Sequence, residues 1–275
     1  MKAPARPETA MPCRYALLLA LLIVSGASAH DLWLIPPEKA SAKEPAKVLA
    51  ISGGEFPKGS TAPDPAKFAA RWVFDPTGKE TAVKAAGIEG KAGLLTFTPA
   101  KAGVHIVVVE TTPKILAMEA DAFNSYLVSD GLPHIYALRA KEKTLDQPAK
   151  ERYSKSPKCL IRVGDGKDGD PCRAVGLPLE IVPLQNPFER KVGEALRVKV
   201  NFRGKPLADA NLGWHHASGG EDPVGTVRTN AKGEALIPIA QTGLMAIRLT
   251  HMTRPKNKDY EWESFWTTLT FRLGE

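Results

Sequence analysis

The chain has 275 residues, with 37 Lys and Arg against 30 Asp and Glu and a formal net charge of +7. Its hydrophobic content of 43% against 24% charged residues is that of a packed globular protein and excludes a disordered chain. The basic surplus is scattered, and no basic run is interleaved with aromatics, so nucleic acid is not an expected partner.

Arg14 precedes the apolar run Ala16–Val24, and Ala27-Ser28-Ala29 follows it as an A-x-A cleavage site. The run is shorter than the ~20 residues a spanning helix needs, so residues 1–29 read as a removed signal peptide and no membrane anchor is expected. Cys13 lies before the run, where a lipid-anchor cysteine would follow it. Cleavage after Ala29 leaves an exported chain with 34 Lys and Arg against 29 Asp and Glu, net +5, beginning at His30. A histidine in first place offers a metal its terminal amine and its imidazole together, a chelate that an internal histidine cannot make alone.

From His30 onward, short apolar or alternating runs are broken by Gly, Pro, Asp and Asn, which predicts a mainly β protein. Leu32–Ile35 and Lys47–Ser52 read as the first two strands, and Phe68–Phe74 as the third, closed by the turn Asp75-Pro76-Thr77-Gly78. Leu94–Thr98 and Val104–Glu110 are expected to pair as a hairpin. Between Lys114 and Ala140 the apolar residues recur three and four apart, predicting a short helical insertion. Leu145–Lys155 is polar and reads as loop, and Lys158–Gly164 returns to strand.

Cys159 and Cys172 are the two cysteines left after export, and an even pair in an oxidising compartment predicts a disulfide. Its loop would contribute ~3 kcal/mol in the chain-entropy treatment. A thiolate metal site is the rival, but no further Cys or His stands at the spacing that would complete one. The tip Gly164–Asp170 lacks the spacing of a calcium loop and reads as a turn.

Leu179–Leu184 closes the first region and Gln185-Asn186-Pro187 is the expected linker, giving an N-terminal β-rich domain over 30–185 and a C-terminal one over 186–275. In the second, Ala195–Phe202, Ala210–Trp214, the hairpin of Thr226–Thr229 with Glu234–Ile239, Leu244–Met252 and Ser264–Leu273 predict a β-sandwich.

Four stretches resemble one family. His30-Asp31-Leu32-Trp33, Arg152-Tyr153-Ser154-Lys155 leading to Lys158, Leu179–Leu184 and Trp262–Phe271 occur in the order of a domain-of-unknown-function family of exported bacterial proteins once labelled a NikM-like nickel-uptake component. The resemblance spans the mature chain. It implies a periplasmic protein accessory to nickel or cobalt uptake, with a metal-uptake transporter component as partner. Its second half is similar to transthyretin-like and immunoglobulin-like modules. Gly204-Lys205-Pro206-Leu207 fits that pattern, and Thr229-Asn230-Ala231-Lys232-Gly233 carries Asn where Asp is usual, which keeps the turn chemistry.

A Ni, Co or Cu site on His30 needs a further imidazole. His251, on a late strand, is the first expected partner, and His216 or its neighbour His215 the second, since adjacent strand residues point to opposite faces. Asp31 or Glu263 would supply a harder ligand. His105 sits in an apolar strand and reads as a core histidine. A terminal amine titrates at ~7.7–8.0 and imidazole at ~6.5, so metal affinity is expected to collapse below about pH 6.

No nucleophile elbow, Walker loop, HExxH or dinucleotide glycine fingerprint is present. The leading expectation is therefore a non-enzymatic, metal-binding accessory of transport. Two alternatives stand beside it: a β-sandwich interaction module without chemistry, and a copper oxidase using a histidine brace with an exposed aromatic face. For the last, Trp33, Trp262 and Trp266 read as core instead.

Overall fold

The computed structural model describes residues 30–166, 168–217 and 223–274, so the expected signal peptide lies outside the described residues. The strands are β1 (Asp31–Ile35), β2 (Ala46–Gly53), β3 (Phe68–Phe74), β4 (Glu80–Ala82), β5 (Lys84–Glu89), β6 (Ala92–Phe97), β7 (Gly103–Thr111) and β8 (Lys114–Met118). Helices α1 (Ala120–Ser129) and α2 (Pro133–Glu142) follow, then β9 (Ala149–Lys155), β10 (Lys158–Val163), β11 (Leu179–Pro183), β12 (Ala195–Phe202) and β13 (Lys205–Pro206). The chain ends with β14 (Asn211–His216), β15 (Gly225–Arg228), β16 (Glu234–Pro238), β17 (Gly243–Thr253) and β18 (Trp262–Leu273). The fold is mainly β and of sandwich type, with two short helices inserted between β8 and β9.

A ten-stranded sheet runs β15-β14-β17-β18-β10-β7-β3-β4, with β9 also on β18 and β8 on β9. At its centre β18 pairs antiparallel with β17 and parallel with both β9 and β10. Both faces of β18 are covered, which is why Trp262–Phe271 is buried without a break instead of alternating. The odd residues Phe265, Leu269, Phe271 and Leu273 face a core shared with Leu196, Val198 and Val200 of β12. That core closes against a second sheet of β11, β12, β13 and β16. Strands from 30–185 and 186–275 are thus hydrogen-bonded neighbours in both sheets: β11 lies on β12, and β10 on β18.

The other face of β18 carries β1. The four-stranded sheet β1-β2-β6-β5 stands with the β1 edge over Thr268 and Thr270. Leu32 and Leu34 pack to one side among Val107, Val109 and Ile161. Trp33 and Ile35 pack to the other, among Phe56, Leu244 and Ala246. The helices cover the far end of the same face, where Phe123, Tyr126 and Leu127 of α1 meet Met252, Trp262 and Trp266. Trp33, Trp262 and Trp266 are therefore core residues.

Three local expectations are corrected. β6 and β7 are consecutive but do not form a hairpin: β6 joins β2 and β5, whereas β7 joins β3 and β10, and the two face each other across the Leu95, Phe97, Val107 and Val109 core. β15 and β16 likewise diverge, to β14 and β12, although the turn at Asn230 forms. Ala149–Lys155 is strand, not loop. Its buried position at 151 is a glutamate whose hydrogen-bond partners come from α1 and β18, so no apolar alternation marks it.

The expected disulfide is also corrected, since Cys159 and Cys172 are both free thiols. Strand alternation explains this. Cys159 points into the core with Val107 and Ile161. Lys158, one residue back, points to the opposite face, where it meets Glu180 at 2.7 Å, and Cys172 lies within the electrostatic reach of Lys158. The sheet thus stands between the two sulfurs, and burial pushes the Cys159 thiol far above its ordinary range.

Candidate functional site

The free edge of β1 is held by a ladder of side chains. One edge of β1 pairs with β2, which leaves alternate carbonyls on the other edge without backbone partners. Thr268 Oγ1 donates to Leu32 O at 2.8 Å, Thr270 Oγ1 to Leu34 O, and Arg272 Nε to Pro36 O at 3.2 Å. Lys155 Nζ extends the series by donating to His30 O. Each rung replaces water on a buried acceptor and fixes the strand, and hence His30, against the ten-stranded sheet.

His30 itself is half-buried at the open end of this strand. Its Nδ1 lies 3.0 Å from Ser60 Oγ, which also reaches Ser52 O at 3.1 Å. Nδ1 is the ring nitrogen on the side of the residue's own backbone nitrogen. The strand anchor and Ser60 therefore hold the relevant imidazole nitrogen in one place.

Beneath it lies a buried charge network. Asp31 Oδ2 meets Arg248 Nε at 2.7 Å, and the same guanidinium bonds Asp130 Oδ1 at the end of α1. Gly131, at φ +74°, turns the chain there in the left-handed region that favours glycine. Burial raises the Asp130 carboxyl to about 7, against the pull of Arg248 and with the repulsion of Asp31. Burial also raises Asp31, with Arg248 and Lys155 opposing it. Lys155 is lowered, first by burial, while Asp31, Asp130 and Glu151 favour its charge. Glu151, raised by burial, accepts from Tyr126 Oη at 3.1 Å and from Ser264 Oγ, and Ser264 accepts from Trp266 Nε1 at 3.0 Å.

Of the residues expected as metal ligands, the structure does not bring His251 or His216 to His30. His251 pairs with Phe265 in the sheet and packs on Phe202, ring centroids 4.5 Å apart, on the face of β18 opposite to β1. Burial lowers its pKa to about 4. His216 is paired with Met245, and so points to that same far face. His215 takes the near face but packs against Trp33 and Phe56 on the Trp33 side of β1. Asp31 adjoins His30 in sequence, but its carboxylate is engaged by Arg248. Among the described residues, no group of three or more His, Cys, Asp and Glu is placed to hold a metal ion. His105 is the core histidine expected, with Nδ1 3.2 Å from Gly103 O.

Lys155, Arg248, Asp130 and Ser60 carry this region and were not singled out in the sequence. Lys155 falls in one of the four family-like stretches, which was its only signal.

A cleft of about 610 Å³ opens along Leu32 and Lys155, and His30 is not among the residues that line it. Leu32, Ser52 and Thr61 form one side, and Lys114, Tyr153 and Lys155 of β8 and β9 the other. No helix among the described residues is long and apolar enough to cross a membrane.

Comparison with known proteins gives one family match. A family model described as a domain of unknown function (DUF4198) matches residues 27–253. No curated protein matches the chain. Among solved structures, the D00-D0 domain of Intimin is similar at 11% identity, covering 87% of this chain and 98% of that one, with a TM-score of 0.20. Native alpha-2-macroglobulin from Escherichia coli, spanning domains MG0-NIE-MG1, is similar at 10% identity over 85% and 96% of the two chains, also at 0.20. Likeness at that level supports no argument about this chain.

Proposed function

The chain belongs to the DUF4198 family, whose function is unknown, and from its own residues we propose that it is an exported, periplasmic accessory of transition-metal uptake that takes a divalent metal ion as cargo at His30. The observation that carries this reading is the position of Nδ1 of His30 at the open end of a strand fixed carbonyl by carbonyl to the central sheet. Removal of residues 1–29 would add a free amine to the same residue. Amine and imidazole together give two nitrogen donors, which favour Cu(II) by the Irving–Williams order, so nickel or cobalt would depend on supply. The other coordination positions are left to water or an outside donor, which suits transfer of the metal more than storage.

A copper oxidase would need a second imidazole beside His30, and His216 and His251 stand on the far face of the sheet. The metal reading therefore rests on the N-terminus alone. Calorimetric titration of the mature protein with Cu(II) should show one site. Acetylation of the mature N-terminus should weaken that site by about 100-fold, because it removes one of two nitrogen donors. His251→Ala should bind as the mature protein does. Equal affinity of the free and the acetylated N-terminus would overturn the reading and leave a β-sandwich interaction module.

A further inference from the structure

We propose that a narrow polar cavity between the end of α1 and strands β14 and β17 binds one ordered water, which ties Thr250 into the Arg248 network. This goes beyond the metal reading and does not depend on it. The cavity has a volume of about 20 Å³, and Asp130, Gly131, Asn211, Arg248 and Thr250 are among the residues that line it. A single water needs about 10–15 Å³ and two to four polar partners. Thr250 is 4% exposed, and its Oγ1 is buried without a hydrogen-bond partner among the described residues. A hydroxyl left in that state forfeits the hydrogen bonds it makes to solvent in the unfolded chain, and most buried hydroxyls avoid this.

The register of the sheet turns Thr250 toward this space. Arg248 and Thr250 lie two apart on β17 and so share a face, and on that face Arg248 meets Asp31 and Asp130. Gly213 stands opposite Arg248 on β14 and puts no side chain of its own into the gap. The charges in the wall select the ligand. A cation would face the Arg248 guanidinium, and an anion would face Asp130, with Asp31 on the other side of Arg248. A neutral group that both donates and accepts fits such a wall, and at this size that group is water. It bridges Thr250 Oγ1 and the Asp130 carboxyl, whichever of the two holds the proton between them, and the Asn211 side chain supplies a third partner. Ser129 Oγ, also at the cavity, is not needed, since it already donates to Tyr126 O at 3.1 Å.

The test is a crystal structure of the metal-free mature protein together with thermal unfolding of two variants. The wild type should show one solvent peak about 2.5–3.0 Å from both Thr250 Oγ1 and the Asp130 carboxyl. Thr250→Val keeps the shape of the side chain and removes the hydroxyl. With the water present it takes away a partner, so the variant should melt about 2–4 °C lower and the peak should fade. In a dry cavity the same change removes an unsatisfied hydroxyl, and the melting temperature would hold or rise, so its sign is decisive. Thr250→Ser keeps the hydroxyl and should keep the peak; if the valine variant does not fold, the peaks of the wild type and the serine variant decide. No peak in the wild type or the serine variant, an undiminished peak in Thr250→Val, or a valine variant as stable as the wild type would overturn the proposal.

Discussion

Replacing Arg248 with Met should lower the unfolding free energy by about 3–5 kcal/mol, as measured by denaturant titration at neutral pH. Arg248 places one guanidinium between Asp31 of β1 and Asp130 at the end of α1, and all three groups are buried or nearly so. The pair contacts themselves need not be strongly stabilising, since removing three ions from water offsets much of their attraction. Loss of the cation alone is different, because it leaves two carboxyls facing each other in a dry interior, where each must go unpaired or take up a proton at a cost. Adding Asp130→Asn to Arg248→Met should recover part of the loss, since only one carboxyl then lacks its partner. A loss below about 1 kcal/mol would mean that water reaches these carboxylates and that the network does not fasten β1 to the helical insertion.

The second large effect is on the pH dependence of stability. The Asp130 carboxyl is raised from 3.8 to about 7 in the folded protein. Between those values the folded state holds a proton that the unfolded state has released, so the contribution of Asp130 is full below pH 4 and is lost as pH rises to about 7. His215 and His251 act in the opposite sense. Burial lowers each to about 4, so their contribution is present above pH 6.5 and lost as pH falls toward 4. The wild-type curve therefore mixes both, and the informative quantity is its difference from Asp130→Asn. That difference should fall with rising pH by up to about 1.4 kcal/mol per unit between pH 4 and 7, then level off. A flat difference across this range would show that Asp130 titrates as an ordinary surface carboxylate.

Much of the fold was legible because alternation is a local signal. Leu196, Val198 and Val200 separated by Arg197 and Lys199 announce β12 directly, and the apolar spacing around Phe123, Tyr126 and Leu127 announces the helical insertion. Partner choice was not legible. β6 and β7 are joined by a short turn that could close a hairpin, yet each finds its neighbours far along the chain, because the loop crosses between layers. The same holds for Cys159 and Cys172, whose even count suggested a bond that strand alternation prevents. At the candidate site, only the expected processing motif points to His30. Its supports were not, because Lys155, Thr268, Thr270 and Arg272 act on backbone carbonyls, and a side chain that serves a distant carbonyl leaves no pattern in its own neighbourhood. His251 and His216 were plausible from composition, but the face a strand histidine takes depends on the sheet register, which only the assembled fold supplies.

The most direct test is the number of imidazoles bound to Cu(II) in the mature protein, counted by pulsed electron paramagnetic resonance at one equivalent of metal. One is expected, abolished by His30→Ala and unchanged by His216→Ala or His251→Ala. Two coordinated imidazoles, or a single one that survives His30→Ala, would contradict it.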